Sequence, residues 1–246
     1  MSRLFQHKTY PALSRDLFGF SFKLPVALEP TPPYKLGRWA AGTGRFAFIE
    51  LGPFDCSGLI AKLPRPASTV LAANISCMDG TTAAELTQSV GNTFSALYDY
   101  ADMFVLDTFR PDSAGVVALQ NADSLSEVLD SLLENRRFYD SSKPILVRVS
   151  PAISQPALED MVHYLRMCGA DGIIAGHDTF CPELVRRIFA ITRGRFPLVA
   201  CGGAGTPARV EELLAAGADM VQVPRFRSKK IIHSLEKAQK QTHQNL

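Results

Sequence analysis

Short runs of apolar residues recur along the chain, and the segments between them carry apolar residues every three or four positions. The runs are nearly continuous in hydrophobicity instead of alternating with polar residues, which is typical of strands buried on both faces. They predict eight strands: Leu24–Leu28, Phe46–Leu51, Val70–Ile75, Met103–Asp107, Ile145–Val149, Gly172–Ala175, Phe196–Ala200 and Met220–Val223.

The segments between most of these runs have the apolar spacing of amphipathic helices. It predicts six helices: Thr82–Tyr100, Ser124–Phe138, Gln155–Cys168, Pro182–Thr192, Pro207–Ala216 and Ser228–Gln241. A shorter and weaker helix is expected at Tyr34–Ala41. Residues Asp55–Ser68 contain two prolines and no convincing helical pattern, so the second βα unit is expected to be truncated.

Local start and stop signals agree with these helices. Thr206 is a candidate N-cap directly before Pro207, and proline is favoured at the first helical position. Gly169, Gly194 and Gly217 each follow the last periodic residue of a helix, where glycine readily adopts the left-handed conformation. These residues set the expected ends of the helices.

Strands that alternate with helices and require parallel crossovers predict a (β/α)8 TIM barrel in the α/β class. The alternative is an open doubly wound sheet, but no GxGxxG motif follows the first strand. Barrels of this length normally form one domain, so we expect residues 1–246 to form a single (β/α)8 domain.

The composition and the net charge limit the kinds of partner that the protein is expected to bind. Hydrophobic residues make up 46% of the chain, charged residues 20%, and the net charge is +2, which argues against a nucleic-acid or membrane-surface role. The basic residues Arg225, Arg227, Lys229 and Lys230 are interpreted either as a solvated helix start or as a phosphate contact.

Five scattered cysteines show no metal-site or disulfide pattern, and residues 1–8 lack the apolar core of a signal peptide, so a cytoplasmic location is expected.

Polar residues gather at the predicted carboxyl ends of the strands, where active sites of such barrels lie. They are Glu29, Glu50, Asn74, Asp107, Arg148, His177 with Asp178, Cys201 and Arg225. Interior layers of a barrel prefer branched apolar residues, so this set indicates a site. Glu50 and Arg148 have a second interpretation, a purely structural ion pair.

Glycines directly after the seventh strand indicate a phosphate-binding loop. In Cys201–Thr206, Gly202 and Gly203 would let backbone N–H groups approach an anion, assisted by the dipole of a following helix. The alternative is that these glycines only form a tight turn.

Several stretches occur in an order and spacing that cover most of the chain: Phe48–Gly52, Phe104–Gly115 with Leu119–Gln120, Pro144–Pro151, Asp171–Ala175, and Gly202–Gly203 through Ala216–Ala218. Together they resemble the second, fourth, fifth and sixth strands and the flavin-phosphate end of the dihydroorotate dehydrogenase family. Members of that family bind FMN inside the barrel and oxidise dihydroorotate to orotate. A serine or cysteine on the fourth loop serves as the base.

The resemblance implies an FMN site and also shows where this chain departs from the family. The implied cofactor-binding residues are Gly202, Gly203, Arg225, Arg148, Asn74, Asp107 and His177. Arg110 occupies the base position, and a guanidinium cannot accept a proton at neutral pH. Asp107 and Asp112 stand at the family's loop asparagines, Arg148 at its strand-five lysine, and His177 with Asp178 at its strand-six Asn/Thr pair. No residue is therefore assigned as catalytic.

Three functions follow from these observations. The first is an FMN-dependent oxidoreductase of the dihydroorotate dehydrogenase type, with its parent activity in question. The second is a non-catalytic or regulatory relative that binds a phosphate-bearing ligand. The third is a different phosphometabolite enzyme that uses Glu29, Asp107 or His177 as acid and base. A small phosphate-bearing ligand is the expected partner, no metal is expected, and a homodimer is left open.

Overall fold

An antiparallel hairpin precedes eight parallel strands that close into a barrel. The structure is a computed structural model, and it describes residues 13–32, 46–54, 69–76, 83–108 and 122–244. The hairpin consists of β1 (Arg15–Leu17) and β2 (Phe20–Phe22). The barrel strands are β3 (Val26–Thr31), β4 (Phe48–Phe54), β5 (Val70–Ile75), β6 (Met103–Asp107), β7 (Ile145–Val149), β8 (Gly172–Ala175), β9 (Leu198–Ala200) and β10 (Met220–Val223). Each strand pairs with the next in sequence, and β10 pairs with β3 in parallel to close the barrel. The predicted fold class is confirmed.

Within the described residues, six helices of at least nine residues surround the barrel. They are α1 (Ala83–Leu97), α2 (Ala122–Arg136), α3 (Gln155–Cys168), α4 (Pro182–Thr192), α5 (Pro207–Ala215) and α6 (Arg225–Gln244). The Thr206 side chain accepts a hydrogen bond from the amide of Arg209, so it is the N-cap of α5 as predicted. None of the described helices combines the length and the hydrophobicity that a bilayer crossing requires.

The hairpin was not predicted from the sequence, and it covers the amino-terminal end of the barrel. Its strands have three residues each and are joined at Phe18 and Gly19, which both have positive φ angles. Phe22 is buried against the lowest interior layer of the barrel, and Phe18 and Phe20 pack on the same layer. The hairpin therefore closes the amino-terminal end of the barrel to a ligand.

Most strand boundaries agree with the sequence prediction, and three differ. β3 begins later than predicted and extends to Thr31, and β4 begins at Phe48 and extends to Phe54. β9 begins at Leu198, because Pro197 lacks the N–H group that a strand would use. α6 begins at Arg225, three residues before the predicted start. The predicted helix at Tyr34–Ala41 and the truncated unit at Asp55–Ser68 lie outside the described residues, as do Arg110 and Asp112.

An Ala-Asp pair directly precedes three alternate strands of the barrel, β6, β8 and β10. Asp102, Asp171 and Asp219 come immediately before β6, β8 and β10. Each carboxylate accepts a hydrogen bond from an amide at the start of the preceding strand, namely Leu71 at 2.9 Å, Ile145 at 2.8 Å and Leu198 at 2.9 Å. The pairs thus fix the relative position of neighbouring strands at the amino-terminal end of the barrel.

Candidate functional site

The barrel interior changes from apolar to polar over one step of two residues along each strand. Because side chains two residues apart point to the same face of a strand, the interior residues form layers. A lower interior layer contains Ala27, Phe48, Ala72, Val105, Leu146, Ile174, Val199 and Met220. Two residues further along the same strands lie Glu29, Glu50, Asn74, Asp107, Arg148, Gly176, Cys201 and Gln222. We call this second set the upper layer.

Glu50 lies at the centre of a hydrogen-bond network in the upper layer. Its Oε1 accepts hydrogen bonds from Nδ2 of Asn74 at 2.7 Å and from a terminal nitrogen of Arg148. Its Oε2 accepts from Nε2 of Gln222 at 2.6 Å. The Asn74 amide also donates to Oδ2 of Asp107 at 2.8 Å. Residues from five strands are thus joined through hydrogen-bonded polar side chains.

Arg148 is fully buried, and its guanidinium makes two hydrogen bonds and two ion pairs within the protein. One terminal nitrogen donates to Glu50, the other donates to the carbonyl of Gly176 at 2.9 Å, and Nε lies 3.3 Å from Oδ2 of Asp107. Burial favours the neutral form, but the two neighbouring carboxylates outweigh it, and they raise the pKa of Arg148 above its ordinary value. The structural ion pair that the sequence left open between Glu50 and Arg148 is therefore present.

Two acceptors of the upper layer have no hydrogen-bond partner within the described part of the chain. They are Oδ1 of Asn74 and Oε1 of Gln222, and both side chains have no exposed surface. A buried acceptor without a donor costs free energy, so such atoms commonly mark the position of a water or a ligand. Gln222 was not identified from the sequence. The signal in the sequence was that Gln222 is polar in an otherwise apolar strand and stands two positions after Met220, which faces the barrel interior.

Glu29, the upper-layer residue of β3, and His177 are partly buried and lie towards the mouth of the barrel. The pKa of Glu29 is raised to about 7, mainly by burial and also by the neighbouring Asp178 carboxylate, while the Arg148 charge opposes the shift. Nδ1 of His177 lies 2.6 Å from Oδ1 of Asp178. Cys201 is fully buried, and burial raises the pKa of its thiol, so the thiol stays protonated at neutral pH. Glu29 is therefore a carboxylic acid at the mouth of the barrel whose pKa lies near neutrality.

Gly202 and Gly203 follow β9 and offer two consecutive amides. Neither amide has a hydrogen-bond partner in the described structure. Both residues have positive φ angles, and an added Cβ would lie 2.6 Å from the carbonyl of Thr179 at Gly202 and 2.7 Å from the amide of Phe180 at Gly203. The loop after β8 therefore packs directly on these glycines. Glycine is required here for packing, in addition to any contact its amides make.

The first turn of α6 lies beside this glycine loop. A Cβ added at Gly205 would lie 4.0 Å from Cγ of Arg227, and Arg225 is the first residue of the helix. Arg209 donates to the carbonyl of Gly203 at 2.9 Å and lies over the ring of Phe180. Two unpartnered amides, a helix N-terminus and these guanidinium groups therefore give this end of the barrel a positive electrostatic character.

The structure brings the sequence-predicted residues together as two groups. Asn74, Asp107 and Arg148 lie in the buried network, whereas Gly202, Gly203 and Arg225 lie at the ends of β9 and β10. His177 lies after β8, whose loop touches the second group. Within the described residues no cluster of histidine, cysteine and carboxylate side chains is suited to a metal ion.

Comparison with known proteins gives a consistent family of relatives. No family model matches the chain. It is 26% identical to the dihydroorotate dehydrogenase (quinone) of Salinispora arenicola, over 87% of this chain and 70% of that protein, and 24% identical to the one of Christiangramia forsetii, over 86% and 78%. Alignment with a third, from Anaeromyxobacter, covers 61% of the relative.

Solved structures show the same fold. A DHODH from Eimeria tenella in complex with ferulenol superposes with a TM-score of 0.69 at 16% identity, covering 88% of this chain and 80% of that one. A mandelate oxidase variant with an FMN adduct gives a TM-score of 0.61 at 15% identity, covering 93% and 76%. The ordered sequence stretches, the curated relatives and the shared barrel lead to one conclusion: the chain is similar in sequence to the dihydroorotate dehydrogenases and has their barrel fold.

Proposed function

We propose that this protein binds the phosphate group of a small ligand at the ends of β9 and β10, and that it does not oxidise dihydroorotate. The observation that carries the first part is the pair of unpartnered amides at Gly202 and Gly203, beside the N-terminus of α6. Backbone N–H groups at a helix N-terminus form a favourable environment for an anion. Arg225 adds a guanidinium, which pairs well with phosphate oxygens.

FMN is the first ligand to consider, because the relatives are dihydroorotate dehydrogenases and one structural neighbour carries an FMN adduct. The glycine amides and Arg225 fit its phosphate. The side chains that the family resemblance assigns to the flavin ring fit it poorly, because Asn74, Asp107 and Arg148 bond to each other. The residues thus match the phosphate of FMN better than its ring.

We infer the loss of the parent reaction from two features, namely Arg110 at the position of the base and the buried network around Arg148. A guanidinium cannot act as the base that removes a proton from carbon, and loss of a base typically lowers a rate by roughly two to four orders of magnitude. Arg148 is held inside the protein, because its terminal nitrogens donate to Glu50 and to the Gly176 carbonyl and its Nε pairs with Asp107. We therefore expect no oxidation of dihydroorotate with quinone or fumarate as acceptor.

The phosphate site is tested by titrating inorganic phosphate into the 15N-labelled protein. The amide resonances of Gly202 and Gly203 should shift, and Arg225→Glu should weaken binding at least tenfold by placing a negative charge beside the anion. Lys237→Glu makes the same charge change at an exposed position further along the same helix, and it should bind phosphate like the wild type. Unmoved glycine amides would contradict the phosphate site.

The catalytic part is tested separately on the same preparation. The visible absorption spectrum reports bound flavin, and an assay with dihydroorotate reports the parent reaction. A turnover within tenfold of an ordinary enzyme's roughly 10 per second would show that the parent activity is retained.

Gly203 is unsuited to such a test. A bulky residue at Gly203 would block the approach of an anion to the loop. The contact of an added Cβ with the Phe180 backbone, together with the positive φ angle, means that this substitution would also disturb the fold.

A further inference from the structure

The polar groups between the phosphate site and the buried network are mostly acceptors. Oδ1 of Asn74 and Oε1 of Gln222 are buried acceptors without a partner in the described structure. Glu29 lies on the strand next to β10, one residue after the pairing of Leu28 with Val223, which places it beside the start of α6. Asp178 and Cys201 interact electrostatically with Glu29, so it also lies close to the ends of β8 and β9.

This arrangement discriminates between ligand classes. An isoalloxazine ring presents several acceptor atoms at its polar edge and a single N–H donor, so it needs donors from the protein. The strongest donor of the upper layer, Arg148, is held by Glu50, Asp107 and the Gly176 carbonyl. A chain of hydroxyl groups presents donors, which suit the free amide oxygens of Asn74 and Gln222 and a carboxyl group such as Glu29.

We propose that the ligand of this barrel is a phosphorylated polyhydroxy compound of the sugar-phosphate or polyol-phosphate class, held by its phosphate at Gly202 and Gly203 and by its hydroxyl groups at Glu29, Asn74 and Gln222. This inference rests on the proposed phosphate site and specifies what the ligand carries beyond its phosphate. It assigns binding roles to Glu29 and Gln222, which the family resemblance does not include.

Comparing FMN with D-ribitol 5-phosphate tests the proposal, because FMN carries an isoalloxazine ring in place of the C1 hydroxyl of that polyol phosphate. Affinities of inorganic phosphate, D-ribitol 5-phosphate and FMN are measured for the wild-type protein by calorimetric titration. We expect ribitol 5-phosphate to bind at least tenfold more tightly than inorganic phosphate, since its hydroxyls reach the free acceptors. FMN should bind no more tightly than ribitol 5-phosphate.

Each deviation has a distinct meaning. If FMN binds more tightly than ribitol 5-phosphate, the ring is accommodated and this inference is overturned, while the proposed phosphate site stands. If ribitol 5-phosphate binds less than tenfold more tightly than inorganic phosphate, the hydroxyl contacts are absent and the inference is again overturned. If none of the three binds, the proposed function fails together with the inference.

A variant locates the hydroxyl contacts. Glu29→Gln keeps the side-chain volume and removes the carboxylate, and it should weaken ribitol 5-phosphate at least fivefold with no change for inorganic phosphate. Glu127→Gln makes the same change on the exposed face of α2 and should alter neither affinity. Equal weakening of both ligands by Glu29→Gln, or no weakening of either, would contradict a hydroxyl contact at Glu29. The wild-type comparison decides the proposal even if this variant is unstable.

Discussion

A single guanidinium, that of Arg148, faces two carboxylates inside the barrel. It pairs with Glu50 and Asp107, and none of the three side chains is more than 2% exposed. Removing one member of a buried ion pair leaves an uncompensated charge in a medium of low polarity, which is far more costly than losing a surface pair. The contribution of Arg148 should therefore appear first in stability.

We expect Arg148→Met to lower the free energy of unfolding by about 3–5 kcal/mol in urea denaturation, because Glu50 and Asp107 lose their counter-charge. Arg186→Met removes an arginine from exposed pairs with Glu183 and Glu212 and should cost no more than about 1 kcal/mol. Adding Glu50→Gln and Asp107→Asn to Arg148→Met should recover much of the loss. Similar costs for Arg148→Met and Arg186→Met would contradict the role of the buried pair.

Glu29 makes stability depend on pH in the opposite sense to an ordinary salt-bridged carboxylate. Its pKa is about 7 in the folded protein and near 4.5 when unfolded, so between these values the folded state binds more protons. The stability associated with the protonated carboxyl is present below pH 4.5 and is lost as the pH rises through about 7. Glu29→Gln should therefore gain stability relative to the wild type across this interval. Parallel pH profiles for wild type and Glu29→Gln, measured by urea denaturation, would contradict the raised pKa, and Glu127→Gln serves as the matched control.

Elements with a strong local signal were predicted from the sequence, and elements defined by tertiary contacts were not. The bounds of β5, β6, β7, β8 and β10 agree with the apolar runs, because turns or polar residues flank each run on both sides. The hairpin of β1 and β2 has only three residues in each strand, too few for a periodic pattern, and its phenylalanines are explained only by the barrel floor they cover. The polar network shows the same division. Its residues were predicted to converge because they follow the strands in sequence, but the sequence did not show that Gln222 joins them or that Arg148 pairs with both Glu50 and Asp107.

Asp171 shows how one residue fixes two elements. Its carboxylate accepts from the amide of Ile145 at the start of β7 and from Arg136 at the end of α2, at 2.8 and 2.6 Å. Asp171→Ala should lower the free energy of unfolding by about 1–3 kcal/mol, because hydrogen bonds to a charged group are lost and a strand amide loses its acceptor. Asp140→Ala, at an exposed turn position, should change it by less than about 0.5 kcal/mol. Thermal or urea unfolding of the two variants measures the difference, and equal costs would contradict the bracing role.

The two ends of the chain depend on each other in the closed barrel. β10 forms parallel pairs with β3, and Gln222 donates across the interior to Glu50, 172 residues away in the sequence. Arg148 joins the same carboxylate, 98 residues from it. Neither half of the barrel can therefore satisfy its interior polar groups alone, since each half holds partners of the other's buried charges.

We accordingly predict that the chain unfolds as one cooperative unit. A half without its partner would expose an open strand edge and leave Glu50 or Arg148 unpaired in its core, so an intermediate with one folded half should not accumulate. Far-ultraviolet and near-ultraviolet circular dichroism should give coincident denaturation curves, and limited proteolysis in the middle of the chain should not release a stable half. Arg148→Met should lower the midpoint of this single transition without splitting it, because the network lies between the halves and belongs to both. Two separated transitions, or two protease-resistant halves, would show that the barrel consists of independently stable parts and would refute a single domain over residues 1–246.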